Sequence, residues 1–287
     1  MKIGVAANPK KPPALLLAHR LVERIGERAD VIVSDESPDV APGHPHAPLE
    51  SLAVDVLIAI GGDGTFLYTL RRSDAPLLPI NAGTVGVLAE VDGRAPKALD
   101  EAIERVLGGR YFLEGRMKLA GQVAGTLLPD AVNEYVVHST PVGKMGLFEI
   151  AFDGHVAGQI RADGVIVASP TGSTAYSLSS LGPIVDPALD ALVVTTIAPF
   201  RLEPRSVVVE PLHTVQLRSI EPGRAAIVIA DGQTDVPLPF DGRVTIHRSP
   251  RRATLVRFGS RFFQRLSGKR ILPWGEESEG ADLPAPP

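Results

Sequence analysis

The chain has 287 residues, 44% of them hydrophobic and 22% charged, a make-up that suits a globular protein of one large or two ordinary domains. A formal net charge of −4 argues against a general electrostatic grip on nucleic acid, although a small anionic ligand needs only local donors. With no cysteine, disulfides, thiolate catalysis and cysteine-bound metals are excluded. No apolar stretch reaches membrane-spanning length, so a cytoplasmic protein with neither membrane nor nucleic-acid partners is expected.

In chain order, Lys2–Ala7 reads as a buried strand and Asn8–Pro13 as the loop leaving it. Ala14–Arg28 reads as a helix with Leu15, Ala18, Leu21, Val22 and Ile25 on one face. Val31–Ser34 is a short strand and Ser37–Pro48 an irregular loop. Val54–Ile60 is apolar apart from Asp55, as a strand buried on both faces should be. It stops at Gly61-Gly62-Asp63-Gly64-Thr65, and a helix is expected from Phe66 to Arg72. Leu77–Ile80 is a further strand, and Pro96–Leu107 a helix ended by Gly108-Gly109. This alternation predicts a Rossmann-like parallel α/β domain over residues 1–108.

From about Tyr111 short β-rich runs follow closely: Val132–His138, Leu147–Phe152, Gly164–Ala168, Ala191–Ile197, Val207–Val209, Val215–Ser219, Ala226–Ala230, Arg243–His247 and Thr254–Phe258. Asp-Gly turns at 153, 231 and 241 and a Pro-Gly at 222 punctuate them. Residues 109–258 therefore read as an all-β domain, a layered sandwich. Residues 259–275, with the basic segment Arg261–Trp274, read as packing back on the first domain. The acidic, Pro-rich 276–287 reads as a disordered tail.

The chemistry concentrates at a few places. Gly61–Thr65 lies at the carboxyl end of a buried strand, where open α/β sheets bind ligands. Glycines let backbone N–H groups approach a phosphate, yet Asp63 puts a negative charge among them. Proton abstraction or magnesium binding would give that carboxylate a reason. Asp163–Ser179 runs from a strand into a Pro-Thr-Gly turn rich in small hydroxyls, with Tyr176 available to lie against a flat ring. Asn133-Glu134 pairs an amide with a carboxylate at a strand start. Alone, each of these is also what an ordinary turn or solvated strand end looks like. The seven histidines form no metal-ligand pattern, and His44 and His46 sit in an irregular loop, so no protein metal ligand is expected.

Together these motifs resemble those of the NAD kinases. Gly61–Thr65 is also shared with diacylglycerol and sphingosine kinases, but Asp163–Ser179 is similar to the NAD kinase signature segment. Asn133-Glu134, the loop Asn81–Leu88 and the turn Asp231-Gly232-Gln233 follow the same family order. The resemblance extends from Lys2 to about Trp274. It departs at Val87 (usually Phe), Leu181 (usually Gly) and Tyr68 (often Arg). Tyr68 weakens an expected phosphate contact that Arg71, Arg72, Lys10 or Lys11 could replace.

The resemblance implies transfer of the terminal phosphate of ATP, or of polyphosphate, to the 2′-hydroxyl on the adenosine ribose of NAD, with Mg²⁺ or another divalent cation. It implies that Asp63 takes the hydroxyl proton and that Gly61, Gly62, Gly64 and Thr65 cradle phosphate. Asn133, Glu134, Thr174, Ala175, Tyr176, Ser177, Leu178 and Ser179 would hold adenosine and ribose. Lys144, Arg161, Asp163, Ala198 and Gln233 would line the rest of the dinucleotide site. A homodimer or homotetramer with sites completed by a neighbouring subunit is expected. A different GGDGT kinase acting on a lipid or sugar alcohol, and a non-catalytic NAD(P) sensor, are the alternatives.

Overall fold

The computed structural model describes residues 1–83, 86–201, 205–259 and 262–267. In the first third of the chain the elements are β1 (Lys2–Ala7), α1 (Pro12–Ile25), β2 (Asp30–Ser34), β3 (His46–Ala47), β4 (Val56–Gly61), α2 (Asp63–Arg72), β5 (Leu77–Asn81), β6 (Val91–Asp92) and α3 (Pro96–Leu107). The strands are parallel in the order β3-β2-β1-β4-β5, the arrangement of a Rossmann-like sheet. β1 and β4 bury almost every residue because helices cover both faces. One core holds Val5, Ala18, Leu21, Ile58, Leu99 and Ile103, and the other holds Leu57, Phe66, Leu70 and Leu77.

The remainder comprises β7 (Phe112–Val123), β8 (Thr126–Leu127), β9 (Glu134–Thr140), β10 (Gly146–Phe152), β11 (His155–Ala162), β12 (Gly164–Ala168), α4 (Tyr176–Ser179), β13 (Leu192–Ile197), β14 (Val207–Val209), β15 (Val215–Ser219), β16 (Ala225–Ala230), β17 (Thr234–Leu238), β18 (Arg243–Arg257) and α5 (Phe262–Ser267). Six strands, in the order β14-β13-β12-β9-β16-β17, form an antiparallel sheet of their own. They face β7, β10, β15 and β18 across a core that draws Tyr135, Val165 and Val228 from one sheet and Leu119, Phe148, Leu217 and Val244 from the other. This is the expected sandwich.

Its second layer is not separate from the N-terminal sheet. β18 pairs antiparallel with β15 and β7, and its far end, Leu255, pairs parallel with Leu77 of β5. One mixed twelve-stranded sheet therefore runs through both halves. The sequence suggested two strands, Arg243–His247 and Thr254–Phe258, where the structure has one. Ser249-Pro250-Arg251 looks like a break, but the ladder absorbs it as a register shift between Arg248 and Arg252. Three longer strands, β7, β11 and β17, were not expected. Of the returning segment, α5 is described and buries Phe262 and Leu266. The rest of Arg261–Trp274 and the whole 276–287 tail lie outside the described residues, as do Thr84 and Val85. Among the described residues no helix is long and apolar enough to cross a membrane.

Candidate active site

The strand order reverses between β1 and β4, and their carboxyl ends carry the first part of the site. The Asn8 amide donates to Ile60 O (3.0 Å), and Asn8 Nδ2 donates to Thr65 Oγ1 (3.0 Å). Gly61 closes β4 and Gly62 caps α2, which begins at Asp63, three residues earlier than periodicity suggested. A Cβ at Gly61 would lie 2.4 Å from Thr65 Oγ1, so only glycine permits this tight entry. The first-turn amides of α2, including those of Asp63 and Gly64, have no intrahelical acceptor and sit at the positive end of the helix dipole.

The Asp63 carboxylate is held by the loop that follows β5. Its Oδ2 accepts the Val87 amide (2.7 Å) and its Oδ1 the Leu88 amide (3.4 Å). A Cβ at Gly86 would fall 1.8 Å from Asp63 Oδ1, which makes Gly86 a requirement of Asp63's position. The contact from Val87 is through its backbone, so replacing the family's Phe there leaves it intact.

The C-terminal half docks on this loop through Asp231-Gly232-Gln233. Gln233 Nε2 donates to Gly64 O (2.8 Å), and Gln233 Oε1 accepts from Arg71 Nη1 (3.2 Å). The buried Asp231 carboxylate accepts the amides of Val132 (2.9 Å), Asn133 (2.8 Å) and Glu134 (3.1 Å). It therefore sets the start of β9 and with it the Asn133-Glu134 pair. Burial pushes Asp231 up, against the pull of those amides and of Arg71, 3.9 Å away. Glu134 is buried with Oε2 unpartnered, and its carboxyl is pushed up to about 8 by burial first and by the Asp231 charge second. The Tyr176 amide beside it pulls the other way.

The signature turn wraps the same strand start. Ser169 Oγ donates to Val132 O (2.6 Å), and the Ser169 amide donates to Asn133 O (2.8 Å). A Cβ at Gly172 would meet Asn133 O at 2.1 Å. Beyond it Tyr176 is 40% exposed, while Thr174, Ala175 and Leu178 are half-buried and Ser179 is exposed. Ser177 instead points inward and shares a hydrogen bond with Thr195 Oγ1 (3.0 Å).

The remaining candidates collect at the opposite end of the sandwich sheet. Asp163 precedes β12, whereas Ala168 at its other end pairs with Glu134, roughly 17 Å away at strand rise. The Asp163 amide bonds Ile197 O (3.0 Å), which sets it beside the exposed Ala198, whose φ is +42°. Arg161 pairs with Glu221 (2.9 Å), and Lys144 lies on the exposed loop after β9. The structure thus gathers Asp63, Gly64, Asn133, Glu134, Tyr176 and Gln233 and leaves Lys144, Arg161, Asp163 and Ala198 as a second group.

A cavity of about 860 Å³ opens beside the first group, walled by Asn8, Lys10, Thr65, Tyr68, Arg72 and Gln233 among others. Of the four cations weighed against Tyr68, Arg71 is buried and spent on Asp130 O, Gln233 and Thr234. Arg72 pairs with Glu50 (2.6 Å) and covers the Tyr68 ring. Lys10 lines the cavity, and Lys11 Nζ lies 3.5 Å from where a Gly62 Cβ would be.

The sequence profile of the ATP-NAD kinase N-terminal domain matches residues 17–111, and that of the ATP-NAD kinase C-terminal domain matches residues 132–258. The chain is 36% identical to the NAD kinase of Thermococcus sibiricus, over 94% of this chain and 98% of that one. It is 38% identical to that of Thermococcus gammatolerans, over 92% and 97%. The chain belongs to the NAD kinase family. An NAD kinase from Archaeoglobus fulgidus, solved in complex with ATP, superposes with a TM-score of 0.75 at 27% identity, covering 95% of this chain and 100% of that one. Yeast NADH kinase, solved with NADH, shares the fold with a TM-score of 0.82 at 21% identity, over 96% and 89%.

Membership of the NAD kinase family makes the chain an ATP-dependent phosphotransferase and sets aside both the lipid or sugar-alcohol kinase and the sensor readings. Asp231-Gly232 is the hairpin turn between β16 and β17 that the sequence suggested, but sequence reasoning did not name Asp231 as a site residue. Its role shows in the three amides of residues 132–134 that its carboxylate accepts, partners that only the fold brings together.

Proposed function

We propose that the chain converts NAD to NADP by transferring the terminal phosphate of ATP to the 2′-hydroxyl of the adenosine ribose, with Asp63 as general base. Asp63 takes the hydroxyl proton, the freed oxygen attacks the terminal phosphorus, and the bond from that phosphorus to the bridging oxygen breaks to release ADP. The observation that carries this reading is the setting of the Asp63 carboxylate. It is fixed by the Val87 amide at the opening of α2, and Gln233 and Asp231 tie that opening to Asn133-Glu134.

In this reading the cavity takes ATP, and the first-turn amides of α2 with Lys10 and Lys11 meet its phosphates. Asn133, Glu134 and Thr174–Ser179 receive the adenosine and ribose. Among the described residues no three His, Cys, Asp or Glu side chains converge as a metal cage. A divalent cation fits as one carried on the triphosphate, where it offsets the charge of the transferring group. Arg161, Asp163 and Ala198 address the nicotinamide half across a subunit interface. The apolar exposure of Leu181 (93%), Phe200 (71%), Val207 and Val208 near that group supports a homo-oligomer. We take residues 1–108 and 109–258 as the two domains, joined by β18, with 259–275 returning to the first, and we place the activity in the cytoplasm.

The test is Asp63→Asn. Turnover is expected to fall by ~10²–10⁴, with NAD affinity within about tenfold of the parent. Near-normal turnover in that variant would remove Asp63 as the base. Assay of the parent against ATP and polyphosphate, and against NAD and NADH, defines donor and acceptor.

A further inference from the structure

Beneath the Asp63 loop lies a buried set of charges that the reaction as described does not use. Arg257, near the end of β18, is 0% exposed. Its Nη1 donates to Leu88 O (2.9 Å) and to Glu90 Oε2 (3.0 Å), and its Nε donates to Glu114 Oε2 (2.6 Å). Glu90 Oε1 in turn accepts the Phe258 amide (2.8 Å). Glu114 also pairs with Arg116, whose Nη1 reaches Thr171 Oγ1 (3.4 Å) in the signature turn. Residue 88 is thus held from two sides, with its amide on Asp63 and its carbonyl on Arg257.

We propose that Arg257 is a positioning residue for phosphoryl transfer, fixing Asp63 through the backbone of Leu88. The proposal rests on the reading of Asp63 as the base. Stability alone is a weak reason for such a cluster, since burying charges costs about as much as pairing them returns, and apolar side chains of similar volume often do as well. Position is a better reason. The amides that hold Asp63 sit on a loop beside glycines; Arg257 is a rigid strand group that fastens that loop by its side chain at Leu88, next to the β5 carbonyl of Pro79, which accepts the Glu90 amide (2.9 Å). A displacement of about 1 Å at a reacting group can cost ~10²-fold in rate. The same cluster touches the signature turn through Arg116 and Thr171, so the loop that holds the Asp63 carboxylate and the turn facing the acceptor share one support.

The experiment uses the full chain. Arg257→Lys keeps the charge that Glu90 and Glu114 need but cannot reproduce the guanidinium fork. Arg257→Met with Glu90→Gln removes that pair of charges together and leaves Glu114 on Arg116, so no charge is left buried alone. For each variant that circular dichroism shows to be folded, kcat is expected to fall about 10–100-fold while the KM values for NAD and ATP stay within about threefold. In an Asp63→Asn background, followed with labelled ATP, Arg257→Lys should cost less than about twofold more, because the group it positions is already gone. A kcat within twofold of the parent in either folded variant overturns the proposal, as does a loss that simply multiplies with Asp63→Asn. Lower thermal stability with unchanged kcat would make Arg257 only a structural clamp that ties β18 to Leu88, Glu90 and β7. Failure of the general-base reading shows separately, as an Asp63→Asn chain that still turns over.

Discussion

Gly86 and Glu134 show how single atoms set this site. A methyl group at Gly86 would overlap the Asp63 carboxylate, so the loop or the carboxylate has to move. Gly86→Ala is expected to lower kcat by about tenfold or more in a protein whose melting temperature changes little, because Gly86 and Val87 are only partly buried. Parallel kinetics and thermal melts check this, and an unchanged kcat would show that Asp63 does not depend on that loop. Glu134 carries a different signature. Its carboxyl is raised from an ordinary 4.5 to about 8, so the folded chain holds a proton that the unfolded chain releases. That stabilisation is fully present below pH 4.5 and is lost as pH rises through about 8. Asp231 is shifted in the same direction and adds to the trend. Glu134→Gln, permanently neutral, is expected to melt above the parent at pH 8.5 and to lose most of that advantage at pH 5. Equal differences at the two pH values would contradict the buried-carboxyl account.

At the scale of elements, the parts that could be read from the chain are those with one physical cause. Lys2–Ala7, Pro96–Leu107 and Gly164–Ala168 have the boundaries expected of them, because each is an apolar or amphipathic run closed by loop or glycine signals. β7 escaped notice because it buries Arg116 and Lys118, which no hydrophobic pattern would place inside. β11 is an exposed edge strand, and β17 is interrupted by Pro237, so neither alternates cleanly. The motifs of the site were likewise legible one at a time, but not their partners. Gln233 and Gly64 are 169 residues apart, and Asp231 and Asn133 are 98 apart. Nor could the sequence show which of the four cations weighed against Tyr68 are already engaged elsewhere. With Arg71 and Arg72 engaged elsewhere, the loop after β1 supplies the free ones. Lys10→Ala and Lys11→Ala are each expected to raise the KM for ATP about 3–10-fold, the worth of one solvent-accessible hydrogen-bonded contact, with little change in the KM for NAD. If both behave like the parent, that loop does not meet the donor.

At the scale of the whole molecule, the question is whether one chain suffices. The group at Arg161, Asp163 and Ala198 stands about five strand residues from Glu134, and Leu181 and Phe200 lie exposed near it. A shared site makes a clear forecast. Asp63→Asn chains and Asp163→Ala chains, each inactive alone, should recover partial activity when mixed and allowed to exchange. No recovery, together with a fully active monomer in sedimentation at assay concentration, would confine the site to one subunit.

The strand shared by both halves also decides how the molecule can be taken apart. A piece beginning at residue 132, where the C-terminal profile begins, would omit β7 and strip β18 along most of its length. The bared edge would be a template for chain-to-chain pairing, and such a piece should aggregate rather than fold. A piece ending after α3 would leave β5 without its β18 neighbour and the Leu88 carbonyl without Arg257. Exchanging halves between relatives therefore means moving β7, β18 and the 86–90 loop as one graft, with the seam cut through surface turns instead of between the two named domains.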